Sequence, residues 1–95
     1  MMILPATLTS REATDALQML SQALQREPAA TAVFDASRLE QLDTAALAVL
    51  LECRRRVEAM GKVFELHGAP PKLAALARLY GVDGLLLEPP ARGSR

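Results

Sequence analysis

The chain reads as one α/β domain, a small sheet with helices packed against it. Three observations predict this. Short apolar runs alternate with longer segments of helical periodicity. The helical segments are punctuated by start and stop residues, among them Thr9 with Glu12, Pro28, Asp43, Gly61, Pro70-Pro71 and Gly81. Ninety-five residues, 51% of them apolar, supply one core but not two.

The segment "MILPATL" is a strand candidate in which Pro5 suits an edge or a strand end. A helix follows. Thr9 and Glu12 have capping-box spacing, in which the hydroxyl takes an amide proton and the carboxylate reaches back. Ala13, Ala16, Leu17, Leu20 and Leu24 then recur at helical spacing, with Arg11, Asp15, Gln18, Gln22 and Gln25 outside the stripe. "ATAVFDAS" is nearly continuous in apolar residues, the pattern of a central strand covered on both faces and parallel to a neighbour.

The second helix is expected from Asp43 or Thr44 to a stop at Gly61, with Ala46, Val49, Leu50, Cys53, Val57 and Met60 as its core stripe. Lys62 to His67 reads as a further strand carrying Val63, Phe64 and Leu66. Pro70-Pro71 opens a third helix, where proline is favoured, with Leu73, Leu76, Ala77 and Tyr80 as its buried side. "VDGLLL" is expected to be a last short strand. Residues 1–88 are read as the domain and residues 89–95 as a flexible tail, since two prolines and polar residues end the pattern.

Composition narrows function. Eleven basic residues balance eleven acidic ones, so no overall field favours nucleic acid or an anionic membrane. One cysteine excludes an internal disulfide and fits a reducing cytoplasm. The opening "MMILPATLTSREA" lacks the basic and long apolar regions of a signal peptide, and no apolar run approaches the roughly 20 residues of a spanning helix.

Catalytic readings fare poorly. Cys53 lies on a core stripe, as a small buried hydrophobe would. His67 sits at a strand end, and no nucleophile–base–acid order can be assembled around it. Zinc would need more Cys and His than the chain has. Asp35 and Asp43 are better explained as a strand-end residue and a helix cap than as metal ligands. "MGKVFEL" has one glycine before its lysine and leads into a strand, so it is not a phosphate loop. Arg54-Arg55-Arg56, flanked by Glu52 and Glu58, reads as a solvated helix half.

One feature stands apart. With Leu50 at the centre of the second helix's buried side, Thr44, Ala48, Leu51 and Arg55 fall together on another face. The row is small, apolar and then cationic, where a solvated helix would carry Glu, Lys or Gln. It suits close approach by another protein. Alanine propensity, scattered surface leucines and a capping role for Thr44 would account for the same residues without a partner.

The block "VFDASRLEQLDTAALAVLL" and the run "KLAALARLYGV" resemble the STAS domain, the module of bacterial anti-sigma factor antagonists and sulphate transporter tails. That family has a strand ending in Asp-Leu-Ser, then Asp-Ser/Thr-Ser/Ala/Gly-Gly-Leu at a helix start. Here the residues are Asp35-Ala36-Ser37 and Asp43-Thr44-Ala45-Ala46-Leu47. Threonine after the aspartate and the third-helix run are most similar to the MlaB type, the small STAS subunits of phospholipid-trafficking ABC transporters of Gram-negative bacteria.

The resemblance implies a STAS-like fold, a small mixed β-sheet with helices packed against it. It also implies a non-catalytic, cofactor-free cytoplasmic subunit that binds an ABC transporter ATPase (MlaF-like) beside an inner-membrane permease, with no nucleic acid and no membrane insertion. Such a complex would serve outer-membrane lipid asymmetry. The contact residues it implies are Ser37, Arg38 and Leu39 in the loop, and Asp43, Thr44, Ala45, Ala48, Leu51 and Arg55 on the helix. In anti-sigma factor antagonists the position of Thr44 is phosphorylated, which is the alternative role; an independent small-molecule binder is a third. Two departures stand out. Ala46 replaces a glycine, which would crowd the helix start. The N-terminal part leaves room for one strand where two are usual, so the sheet is expected to lack an edge strand.

Overall fold

A computed structural model describes residues 1–87. The expected tail therefore lies outside the described residues. In chain order the elements are β1 (Met2–Ile3), β2 (Thr7–Leu8), α1 (Ala13–Gln25), β3 (Thr31–Asp35), β4 (Gln41–Leu42), α2 (Thr44–Ala59), β5 (Val63–His67), α3 (Pro71–Leu79) and α4 (Asp83–Leu86). No described helix is long and apolar enough to cross a membrane.

The α/β architecture is the one expected. β3 is central in a three-stranded sheet of order β1-β3-β5, and β2 pairs with β4 in a second, two-stranded sheet. All the described pairings are parallel, where a mixed sheet is expected. Register places Met2 opposite Phe34, Phe34 opposite Leu66 and Ala32 opposite Phe64, so these residues share one face. That face meets the helices: α1 packs on α2 and β1, and α2 on β5. Phe34 and Phe64 stack with ring centroids 5.2 Å apart, and the rest of the core is aliphatic.

Several expectations change. "MILPATL" forms two strands, not one. The chain bends between them around Pro5, so Met2–Ile3 joins β3 while Thr7–Leu8 joins β4. Leu4 is buried at the bend and its N–H donates to the Asp35 carbonyl at 2.9 Å. Two strands thus precede α1, and the edge strand is present. β3 is not covered equally on both faces: Ala32 and Phe34 are buried, whereas Thr31, Val33 and Asp35 are half-buried. "VDGLLL" is a short helix, α4, whose Leu86 reaches the core. Met60 and Tyr80, placed on buried stripes by periodicity, are exposed, because each is the cap residue where its helix unwinds towards a glycine at positive φ. Leu47 joins the core instead.

The expected Thr9–Glu12 box forms only in part, because Glu12 and not Thr9 is the N-cap of α1 and no side chain caps the helix. The Glu12 carboxylate accepts from the Thr9 N–H at 2.9 Å and from its hydroxyl at 2.6 Å, and the helix begins one residue later. These bonds, the Thr9 hydroxyl first, hold the Glu12 carboxyl below its ordinary range.

Candidate docking surface on helix α2

The head of α2 is set by Asp43. Its backbone is extended, as an N-cap requires, and one carboxylate oxygen accepts from the Ala45 N–H at 2.8 Å. The other accepts from the Ser10 N–H at 3.2 Å, tying the α2 start to the loop before α1. Asp43 is therefore a positioning residue with both oxygens engaged. Thr44 follows as the first helical residue, exposed, its hydroxyl without a hydrogen bond among the described residues.

Below Thr44 the helix divides sharply. Ala46, Leu50 and Val57 are fully buried and Cys53 nearly so. Burial pushes the Cys53 thiol up to about 12, the character of a packed hydrophobe. On the opposite side Thr44 and Ala48 are exposed, Leu51 is half-buried with its inner part against the core, and Arg55 is exposed. At 3.6 residues per turn these four stay within about 60° of one another over three turns. The row is not sealed inside the fold.

Arg55 is held back onto its own helix. Glu52 accepts from Arg55 Nε at 3.0 Å and Nη2 at 2.6 Å, and from Arg56 Nε at 2.8 Å. Those hydrogen bonds, Arg55's first, take the Glu52 carboxyl down to about 2. On the other flank Arg54 pairs with Glu58 at 3.0 Å. The three arginines are thus each ion-paired within α2, two of them sharing Glu52, and the uncharged row lies between two ion-paired borders.

The loop after β3 divides differently from the expected contact set. Ser37 and Arg38 are exposed, but Leu39 is only 3% exposed and belongs to the core. Leu39 folds inward because the loop turns tightly, its N–H donating to the Ala36 carbonyl at 3.1 Å, so it is no surface contact. Ala45 is half-buried beside the cap. Asp35 accepts from the Ser37 N–H at 2.9 Å; this bond and the Ser37 hydroxyl, with Arg38 and His67 adding charge, hold its carboxyl below the usual range. Asp35 thus shapes the turn.

Gly68 was not singled out from sequence. Its φ is +71°, and a Cβ there would lie 3.0 Å from Ser37 Cβ, so glycine lets the loop after β5 lie against the loop after β3. The signal was the "HGAPP" turn. His67, with Nε2 2.9 Å from Glu65, stands at the end of β5. Asp35 and His67, the ends of neighbouring parallel strands, therefore share one rim of the sheet with Ser37 and Gly68. The departure at Ala46 has an unexpected outcome. Its methyl is buried in the core, so it does not crowd the outward row.

Among known families, residues 4–88 match the family model described as "Mlab, STAS domain". The chain belongs to the STAS domain family. No curated protein matches it at a significant level. The match begins just after β1 and runs through β2 and α4, so β2 and the closing helix belong to the domain together with the Asp43–Thr44 block.

Proposed function

We propose that this STAS domain is a non-catalytic, cytoplasmic MlaB-like subunit. It binds the ATPase subunit of a phospholipid-transport ABC transporter and reaches the inner membrane only through that partner. The single observation that carries the reading is the uncharged row of exposed Thr44 and Ala48 with half-buried Leu51, on a helix whose arginines are ion-paired on both flanks. Small side chains let a partner helix approach closely, and Leu51 offers apolar area at the centre of the contact. Ser37 and Arg38 extend the surface on the neighbouring loop. Binding of this kind stabilises the assembled ATPase by mass action, and biases its conformations if one state is contacted better.

The test is co-expression with a MlaF-like ABC transporter ATPase subunit. Wild-type protein is expected to co-purify with it, and Thr44→Glu, which places a carboxylate on the row, is expected to abolish capture while circular dichroism stays unchanged. Undiminished capture of Thr44→Glu would refute the docking role.

Exposure of the Thr44 hydroxyl at a helix N-terminus supports a second reading, an anti-sigma factor antagonist switched by phosphorylation there. A phosphate would gain from the helix dipole and lose from Asp43 beside it. Stoichiometric phosphate on Thr44 after incubation with an anti-sigma kinase and ATP would favour that reading.

A further inference from the structure

The outer side of α3 differs in chemistry from that of α2. Lys72, Ala75, Arg78 and Leu79 face outward at helical spacing while Leu73 and Ala77 are buried. Leu79 is 75% exposed, more than any other large apolar side chain described, and Tyr80 beside it is 59% exposed. Packing accounts for neither. The arginines of α2 are each held by Glu52 or Glu58, but Lys72 and Arg78 make no ion pair among the described residues, and α3 contains no acidic residue. Asp83, which opens α4, forms no ion pair with either among the described residues. The result is an apolar anchor bordered by charge of one sign.

Charge complementarity decides what fits. An anionic lipid surface would meet both requirements, but two cations fall short of the roughly four to eight that a polybasic lipid site uses. One leucine and one tyrosine also give little insertion. A protein segment needs less, because a few apolar anchors in register with a few opposite charges suffice for specific docking. We propose that the outer face of α3, with Tyr80, is a second docking surface, and that its occupant is an acidic amphipathic helix of a partner protein. The surface lies on a different helix from the α2 row and does not depend on that row's partner.

The experiment uses the full chain and two labelled synthetic helices that share a leucine stripe, one bordered by glutamates and one by lysines, read by fluorescence anisotropy. The glutamate peptide is expected to bind at least about tenfold tighter than the lysine peptide, and to weaken as salt rises. Leu79→Ser should lower that affinity about tenfold, and the double variant Lys72→Glu with Arg78→Glu should reverse the preference, a gain that misfolding cannot produce. Thr44→Glu should leave peptide binding intact, which separates this surface from the α2 row. Equal binding of both peptides, no binding, indifference to Leu79→Ser, or binding to phosphatidylserine vesicles in place of either peptide would overturn the proposal.

Discussion

The two sides of α2 are one helix in opposite surroundings. The inner side, from Ala46 to Val57, is sealed by α1, β5, α3 and α4, and contributes stability. The outer side, from Thr44 to Arg55, touches the core only through the inner part of Leu51, and its exposed Thr44 and Ala48 contribute little stability. A residue can therefore be lost from either side with consequences that do not overlap. On the proposed docking role, stability and recognition are separable here because the helix is wide enough to present both faces at once.

The largest effect is expected at Leu50, which is fully buried. Leu50→Ala removes a side chain that the core cannot collapse around, and should cost about 2–5 kcal/mol in urea denaturation. Next is Ala48→Arg. A long cation on the row should reduce ATPase binding by about a hundredfold in calorimetry, yet change unfolding free energy by less than about 0.5 kcal/mol, as exposed substitutions do. A large stability loss at Ala48 would break the comparison between the two sides.

Asp43→Ala tests the hinge between them. It deletes the cap on Ala45 and the tie to Ser10, and should cost about 1 kcal/mol of stability with some loss of binding, since Thr44 loses its fixed position.

The smallest effect concerns the ion-paired border. The Glu52 carboxyl lies at about 2, below its ordinary 4.5. A depressed carboxyl stabilises the fold above its unfolded value, and that contribution fades as pH falls from about 4.5 through 2. Exposure keeps it small. An NMR titration should find the Glu52 midpoint well below that of a free glutamate, and Glu52→Gln should flatten the acid limb of stability only slightly.

Much of this was legible from residues alone. The three longer helices announced themselves through period, caps and glycine stops, and Thr44, Ala48 and Arg55 are exposed where the wheel placed them. The strands were harder. "MILPATL" is too short for periodicity to show that it serves two sheets, and "VDGLLL" is an apolar run whose length does not distinguish helix from strand. Leu39 shows the limit for the site, because a loop residue has no period from which its direction can be read.

What the amino-acid order determined by itself is local: where α2 and α3 start and stop, which side of α1 and α2 is apolar, and the Asp43–Thr44 block at the head of α2. These follow from nearest-neighbour physics, the hydrogen-bonding needs of helix ends and the 3.6-residue turn. Tertiary structure alone decided that Leu39 turns inward, that Ala46 is absorbed by the core, that Gly68 lies against Ser37, and that Leu79 and Tyr80 stay in solvent. Each of these depends on which distant segment occupies the neighbouring space, and no short-range pattern encodes that.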